Sequence, residues 1–307
     1  MIQAILNKLR ERLNKWHFQH ALSRIRSAPP IKLGDEPFTL LSMVHHRDVD
    51  AYLLAVKSFV RYLHPRKIVV VTDPSITEVD KSFLKSQVCG IQLIPAEINR
   101  HENIPVGGCW ERLCAIACTV TNDYVIQLDA DTVTLGYPAE VAEAIRNESS
   151  FVLATEDGQG FVSCQEIAAW ARGRLTSGDH IQVLAESKLD CLANYSDLRY
   201  TRGCAGFSGF ARNSFGLSRL CEFSKQMQGL FGTRWAEWGT EQFTSNFMVA
   251  NSPAATVLPH PKYCHPLRER PGTVFLHFVG FVRFKTGRYA EVTKSVCNHL
   301  SSKKLAS

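Results

Sequence analysis

The chain has 307 residues, 45% of them hydrophobic, and a formal net charge of +6. That length can bury one substantial core, leaving room for at most a small second domain. No run of about 18 apolar residues occurs, which excludes a membrane-spanning helix, and no basic stripe extends over the body, which excludes a nucleic-acid binder. The charge sits at one end: residues 1–28 carry Lys8, Arg10, Arg12, Lys15, Arg24 and Arg26 against Glu11, a net of +5 that leaves +1 for the rest. In the same segment Ile2, Leu6, Leu9, Leu13 and Trp16 recur at three- and four-residue steps. That is the pattern of a basic amphipathic helix, suited to an anionic membrane surface or to packing on a protein. Ten cysteines stand singly, without a Cys-x-x-Cys pair, and no signal peptide precedes the body. Reduced thiols in a cytosol-facing compartment are expected, and zinc ligation is not.

Along the body, strands and helices alternate. Residues 38–44 read as a strand, and Val49, Leu53, Val56, Val60 and Leu63 mark one face of a helix. Residues 67–73 give the strongest strand signal, 91–95 a further strand, 110–119 a helix, and Tyr124-Val125-Ile126-Gln127-Leu128 a buried strand. Strands at 151–154 and 204–212 follow, with helical patterns at 167–172 and 181–192 between them. This alternation predicts right-handed crossovers and an α/β fold with a doubly wound sheet.

The buried strand ends in Asp129-Ala130-Asp131. Ligands gather outside the carboxyl ends of strands in such sheets, and two carboxylates placed there repel one another unless a cation lies between them. Hard oxygen ligands with spare coordination positions suit Mg²⁺ or Mn²⁺ carrying substrate phosphates. Two enzyme families place acids in this way. Asp129-Ala130-Asp131-Thr132-Val133 resembles the first motif of haloacid-dehalogenase-type phosphatases, but 128 residues precede it and the later acid pair of that family has no counterpart. It also resembles the DxD motif of GT-A-type nucleotide-sugar glycosyltransferases, and the order of elements from Phe38 to Phe284 is similar to theirs.

Three further segments carry this resemblance. Arg112, on the helix before the metal strand, stands where many members keep a basic residue on the donor. Residues 238–246, Trp-Gly-Thr-Glu-Gln-Phe-Thr-Ser-Asn, look like the Asp-Gln-x-x-x-Asn helix start of glycogenin-like members, with Glu241 in place of Asp. A plain helix cap at Thr240 explains the same residue types. His277, Gly280 and Arg283 resemble the His-x-x-Gly-x-x-Lys segment, in which His completes the metal shell and Lys reaches the diphosphate; Arg replaces Lys here. A neutral imidazole is a competent third ligand, a glycine admits phosphate close to backbone, and a cation beside it neutralises charge.

The resemblance implies a GT-A-type, Rossmann-like mixed sheet flanked by helices in a single domain. The expected parts are an N-terminal amphipathic helix and linker over 1–34, a catalytic domain over 35–290, and a C-terminal helix or tail over 291–307. The catalytic domain would divide into a nucleotide-binding half (35–135) and an acceptor half (136–290). It further implies hexose transfer from a nucleotide-diphosphate sugar, UDP favoured, to a glycan or lipid-linked acceptor, with Mn²⁺ or Mg²⁺ on Asp129, Asp131 and His277. Val44, His45, Asp73, Arg112, Asp129, Ala130, Gly280 and Lys285 would contact the donor, Arg283 would stabilise the leaving phosphate, and Glu241 would act as base or sugar-positioning group. Glu156 and Asp157 are alternatives for sugar hydroxyls, and Trp235 and Trp238 for stacking on an acceptor ring. The glycogenin-like pattern leans towards retention of anomeric configuration. A nucleotidyltransferase on a sugar phosphate is the second enzymatic reading. It requires a Gly-rich basic loop after the first strand, where this chain has His45-His46-Arg47-Asp48. A degenerate carbohydrate- or partner-binding member is the non-enzymatic one. Donor sugar, linkage and oligomeric state are not legible.

Overall fold

The computed structural model describes residues 2–280 and 282–304; Phe281 of the 275–284 segment, the Ile2 side chain and residues 305–307 of the C-terminal tail lie outside that description. In chain order the elements are α1 (Ile2–Leu22), β1 (Glu36–Val44), α2 (Val49–Phe59), β2 (Pro65–Thr72), α3 (Glu78–Gln87), β3 (Gln92–Pro95), α4 (Trp110–Thr119) and β4 (Tyr124–Leu128). They continue with β5 (Thr132–Thr134), α5 (Ala139–Arg146), β6 (Phe151–Leu153), β7 (Val162–Ser163), α6 (Cys164–Arg172), α7 (Ile181–Glu186), β8 (Arg199–Tyr200) and β9 (Cys204–Phe210). The last are α8 (Leu217–Phe231), α9 (Thr240–Ala250), β10 (Thr256–Leu258), β11 (Tyr263–Cys264), β12 (Phe275–His277) and α10 (Arg288–Lys304). No described helix is long and apolar enough to cross a membrane.

The chain divides into two compact units, the first comprising Met1–Leu93, Leu128–Ala139 and His260–Ser307, the second Ile94–Gln127 and Glu140–Pro259. In the first unit β1 and β2 pair in parallel, with Val44 opposite Thr72, so both strands end at the same level. Residues 38–42 of β1 and 68–72 of β2 are buried, as strands covered on both faces require. A smaller sheet in this unit has the order β11-β12-β5. Its antiparallel β12–β5 pair sets His277 opposite Thr132. In the second unit the order is β10-β6-β9-β4, with β10 and β6 parallel and β6 and β9 antiparallel, so the sheet is mixed as expected.

Helix α1 is held to the first unit by only one of its faces. Phe18, Ala21 and Leu22 are buried, and the Phe18 ring stacks on Tyr289 of α10 at 3.8 Å. The segment after it is pinned by Lys57 of α2, which is 1% exposed. Its ammonium donates to the Ala28 and Pro29 carbonyls and to Gln87 Oε1, at 3.0, 2.7 and 2.8 Å. Burial pulls the Lys57 pKa down to about 8.

Some elements depart from the sequence expectations. The helix from Val49 stops at Phe59 rather than Leu63. The 181–192 pattern breaks after Glu186, where the Ser187 hydroxyl donates back to the Leu184 carbonyl at 2.7 Å and a 3-10 turn follows at Leu189–Cys191. Helix α3 appears without a strong apolar period because a capping box starts it: Thr77 Oγ1 accepts from the Asp80 backbone, and the Asp80 carboxylate accepts from the Thr77 backbone. The small residues near β9 serve close packing: a Cβ on Gly209 would lie 2.2 Å from the Phe151 ring, and one on Gly203 2.1 Å from Val152.

Candidate active site

In the first unit the strand ends and the β12 loop converge on Asp129 and Asp131. The Ser42 hydroxyl of β1 donates to the Leu128 carbonyl at 2.7 Å, fixing the end of β4. Thr132 Oγ1 donates to the Asp129 carbonyl at 2.8 Å, and the Phe278 amide donates to the Asp131 carbonyl at 2.8 Å. Because β12 is registered on β5, His277 Nε2 reaches 3.1 Å from Asp131 Oδ1. One donor atom from each of Asp129, Asp131 and His277 lies within 4.8 Å of the other two. Ligand atoms on opposite sides of one ion with bonds of about 2.1 Å stand about 4.2 Å apart, so side-chain shifts of a few tenths of an ångström bring the three onto a single divalent ion. Two carboxylates and one imidazole suit Mn²⁺, and Mg²⁺ with water completing the shell.

The environment of Asp131 favours its anion. Burial alone raises the carboxyl pKa, but the charges and hydrogen bonds of His277 and Arg283 outweigh it and hold Asp131 below the ordinary carboxylate range. Arg283 Nε donates to the Phe278 carbonyl at 3.0 Å, and its terminal nitrogen contacts Asp131 Oδ2. The expected phosphate-binding cation thus sits on Asp131, one of the three side chains that could hold a metal ion. Gly280 is exposed, and a Cβ there would meet no protein atom within 4 Å, so packing does not demand the glycine. Lys285 is exposed and lines a cavity with residues of α1.

Matched ends of β1 and β2 bring the expected nucleoside contacts together. The Asp73 amide donates to the Val44 carbonyl at 3.0 Å, and Asp73 Oδ2 lies 3.1 Å from His45 Nδ1. Burial raises the Asp73 carboxyl pKa, but hydrogen bonds from Ser75 and the His45 ring prevail and lower it. His46 turns away to Asp80, at 2.7 Å.

Arg112 and Glu241 belong to the second unit. Each is 4% exposed, and Arg112 donates to Glu241 Oε1 at 3.1 Å. Beside them the Trp110 indole donates to Thr240 Oγ1 at 3.0 Å. The sequence expects Arg112 on the donor and Glu241 as base or sugar-positioning group. In the structure the two pair with each other at low exposure, as two charges removed from water neutralise one another. Gln242, in the first turn of α9, is half-buried and accepts from the Ala205 amide at 3.3 Å. Glu156 and Asp157 are exposed after β6. Trp235 is 1% exposed, packed on Trp110, Phe223 and Phe243, with its indole donating to Ser224; it is core and not a stacking platform. Trp238 is 72% exposed, its ring edge-on to His180.

No protein-family model and no curated protein matches the sequence. Solved structures do match. An active-site mutant of LgtC is similar at 12% identity over 85% of this chain and 96% of that one, with a TM-score of 0.51. The WbbM bifunctional glycosyltransferase in its apo form is similar at 12% identity over 82% of this chain, with a TM-score of 0.50. This chain spans about half of WbbM, 47% of its length. Likeness at this level of identity speaks for the fold, and together with the mixed sheet and the Asp-Ala-Asp strand end it gives the chain the GT-A glycosyltransferase fold.

Proposed function

We propose that the chain is a hexosyltransferase that moves a sugar from a nucleotide diphosphate, UDP favoured, to a glycan or glycolipid acceptor at the cytosolic face of a membrane. The observation that carries this reading is the convergence of Asp129, Asp131 and His277 within 4.8 Å, at a strand end of a GT-A fold.

Asp129 and Asp131, with Ala130 between them, would present carboxylate oxygens, and His277 its Nε2, to one Mn²⁺ or Mg²⁺. Such an ion, when bound, supplies Lewis-acid stabilisation to a diphosphate leaving group. Val44, His45 and Asp73, side by side at the ends of β1 and β2, would receive the nucleoside, since ligands in open α/β sheets sit outside the strand ends. Arg283 neutralises Asp131 in the structure described. Its side chain is about one-third exposed, so the terminal nitrogens can turn from Asp131 to a phosphate while Nε stays on the Phe278 carbonyl. Gly280 leaves open space for that phosphate, and Lys285 adds a cation two residues beyond Arg283. Arg112 and Glu241 act as a positioning pair that fixes α4 against α9 within the second unit.

Calorimetric titration of UDP, GDP and CMP, with Mn²⁺ and with chelator, tests this reading beside Asp131→Asn. Metal-dependent binding of one nucleotide, lost in the variant, is the expected result. Binding of none would turn the reading towards a non-catalytic member of the fold.

A further inference from the structure

Helix α1 presents two stripes that packing on the body leaves free. Leu6, Leu9, Leu13 and Trp16 are 52–59% exposed, on the side away from the buried Phe18, Ala21 and Leu22. Lys8, Arg12 and Lys15, spaced by four and three residues, form the neighbouring stripe. That second stripe walls a cavity of about 260 Å³ whose other side is the loop after β12. Lys8, Arg12, Lys15 and Lys285 line it against the single carboxylate of Glu11. The walls are held in register, because Asn14 Nδ2 donates to the Phe284 carbonyl at 2.9 Å and the Phe18 ring packs beside Phe284 and on Tyr289.

An excess of cations around a cavity selects an anion, and an adjacent row of exposed leucines with a tryptophan selects an apolar phase. One surface offers both: a bilayer containing anionic phospholipid, whose phosphoryl groups lie a few ångströms above its acyl chains. A second copy of α1 is disfavoured by charge, since two segments of net +5 would repel. We propose that the α1 side of this cavity, at Lys8, Arg12 and Lys15, is a phosphoryl site for anionic lipid, filled when the apolar stripe of α1 beds into the headgroup layer. The inference rests on the membrane reading given above and adds to it a defined pocket. It also implies an orientation: the wall that carries Gly280 and Lys285 continues through Arg283 to Asp131, so the metal cluster's loop would face the lipid headgroups.

Co-sedimentation of the full chain with vesicles tests this, using phosphatidylglycerol mixed with phosphatidylcholine and phosphatidylcholine alone. The proteins are the wild type, the triple variant Lys8→Ala/Arg12→Ala/Lys15→Ala, and Leu9→Glu/Leu13→Glu; all these side chains are exposed, and circular dichroism checks that α1 persists. Wild type is expected on the anionic vesicles only. Each basic residue near such a surface contributes enough that losing three should weaken binding about a hundredfold. The leucine variant should also fail to bind, while both variants keep the Mn²⁺-dependent nucleotide affinity of wild type. Anionic-vesicle binding unchanged in the triple variant would overturn the pocket while leaving a membrane-bound α1. A nucleotide affinity lowered in the triple variant would overturn it by assigning the cavity to the donor. Wild type bound equally to both vesicle types, or a dimer that Leu9→Glu/Leu13→Glu dissolves, would overturn it as well. Absence of nucleotide binding in all three proteins, with the vesicle pattern as expected, would sink the transferase reading and leave the lipid site standing.

Discussion

Charged groups are used in opposite ways by the two units. In the second, Arg112 and Glu241 are each 4% exposed and close on each other, so opposite charges meet inside the core. In the first, Asp129, Asp131 and His277 keep donor atoms within 4.8 Å beyond the carboxyl end of β4, with Asp129 and Asp131 half-buried and Arg283 reaching in from the loop after β12. One arrangement pairs opposite charges within the core, whereas the other brings two carboxylates together and so favours a cation between them. Charge in a fold of this kind therefore has to be judged by what surrounds it, since neither residue type nor a motif position separates the two cases.

Replacing one member of the second-unit pair should expose this difference most strongly. Arg112→Ala or Glu241→Ala leaves its partner buried and uncompensated, and denaturant unfolding should show a loss of about 3–5 kcal/mol. Arg112→Met with Glu241→Leu should recover most of that loss, because an apolar pair of similar volume removes the unpaired charge. In the first unit, Asp131→Asn should cost only about 1–2 kcal/mol of stability, because the part-exposed Arg283 can turn to water and the amide oxygen can still accept from His277. The same substitution should weaken Mn²⁺-dependent nucleotide binding by about a hundredfold in calorimetry. If both substitutions changed stability equally and neither touched nucleotide affinity, the contrast between the units would collapse.

A smaller effect concerns Lys57, a buried cation that holds the α1 linker. Its pKa is lowered to about 8 from an ordinary 10.5, so between those values the unfolded chain binds more protons than the folded one. Stability linked to Lys57 therefore rises as pH increases from about 8 to 10.5 and is lowest below 8, where the folded state must bury the charge. Unfolding of wild type should gain on Lys57→Met across that window; a constant gap would place the ammonium in water.

Much of this was legible in the sequence wherever physics is local. The strands expected at 38–44, 67–73 and 124–128 are found at Glu36–Val44, Pro65–Thr72 and Tyr124–Leu128, and Asp129-Ala130-Asp131 stands at a strand end with His277 beside it. Residues 132–134, 162–163 and 199–200 form strands too short for any period to show. The pairing of Arg112 with Glu241 spans 129 residues, and no local pattern links two charges that far apart. Trp235 and Trp238 look alike in sequence, yet one is 1% exposed and the other 72%, a difference set by Phe223, Phe243 and Trp110 closing over the first. The turn of Arg283 onto Asp131 depends on how the loop after β12 is anchored by Phe278, which spacing alone does not fix.

The most direct test of the metal centre is electron paramagnetic resonance of Mn²⁺ titrated into the protein with UDP present, for wild type, Asp131→Asn and His277→Ala. One bound ion per chain, weakened at least tenfold in each variant, is what three converging ligands require. Equal Mn²⁺ binding in all three proteins would contradict the assignment of Asp129, Asp131 and His277 as the ligands.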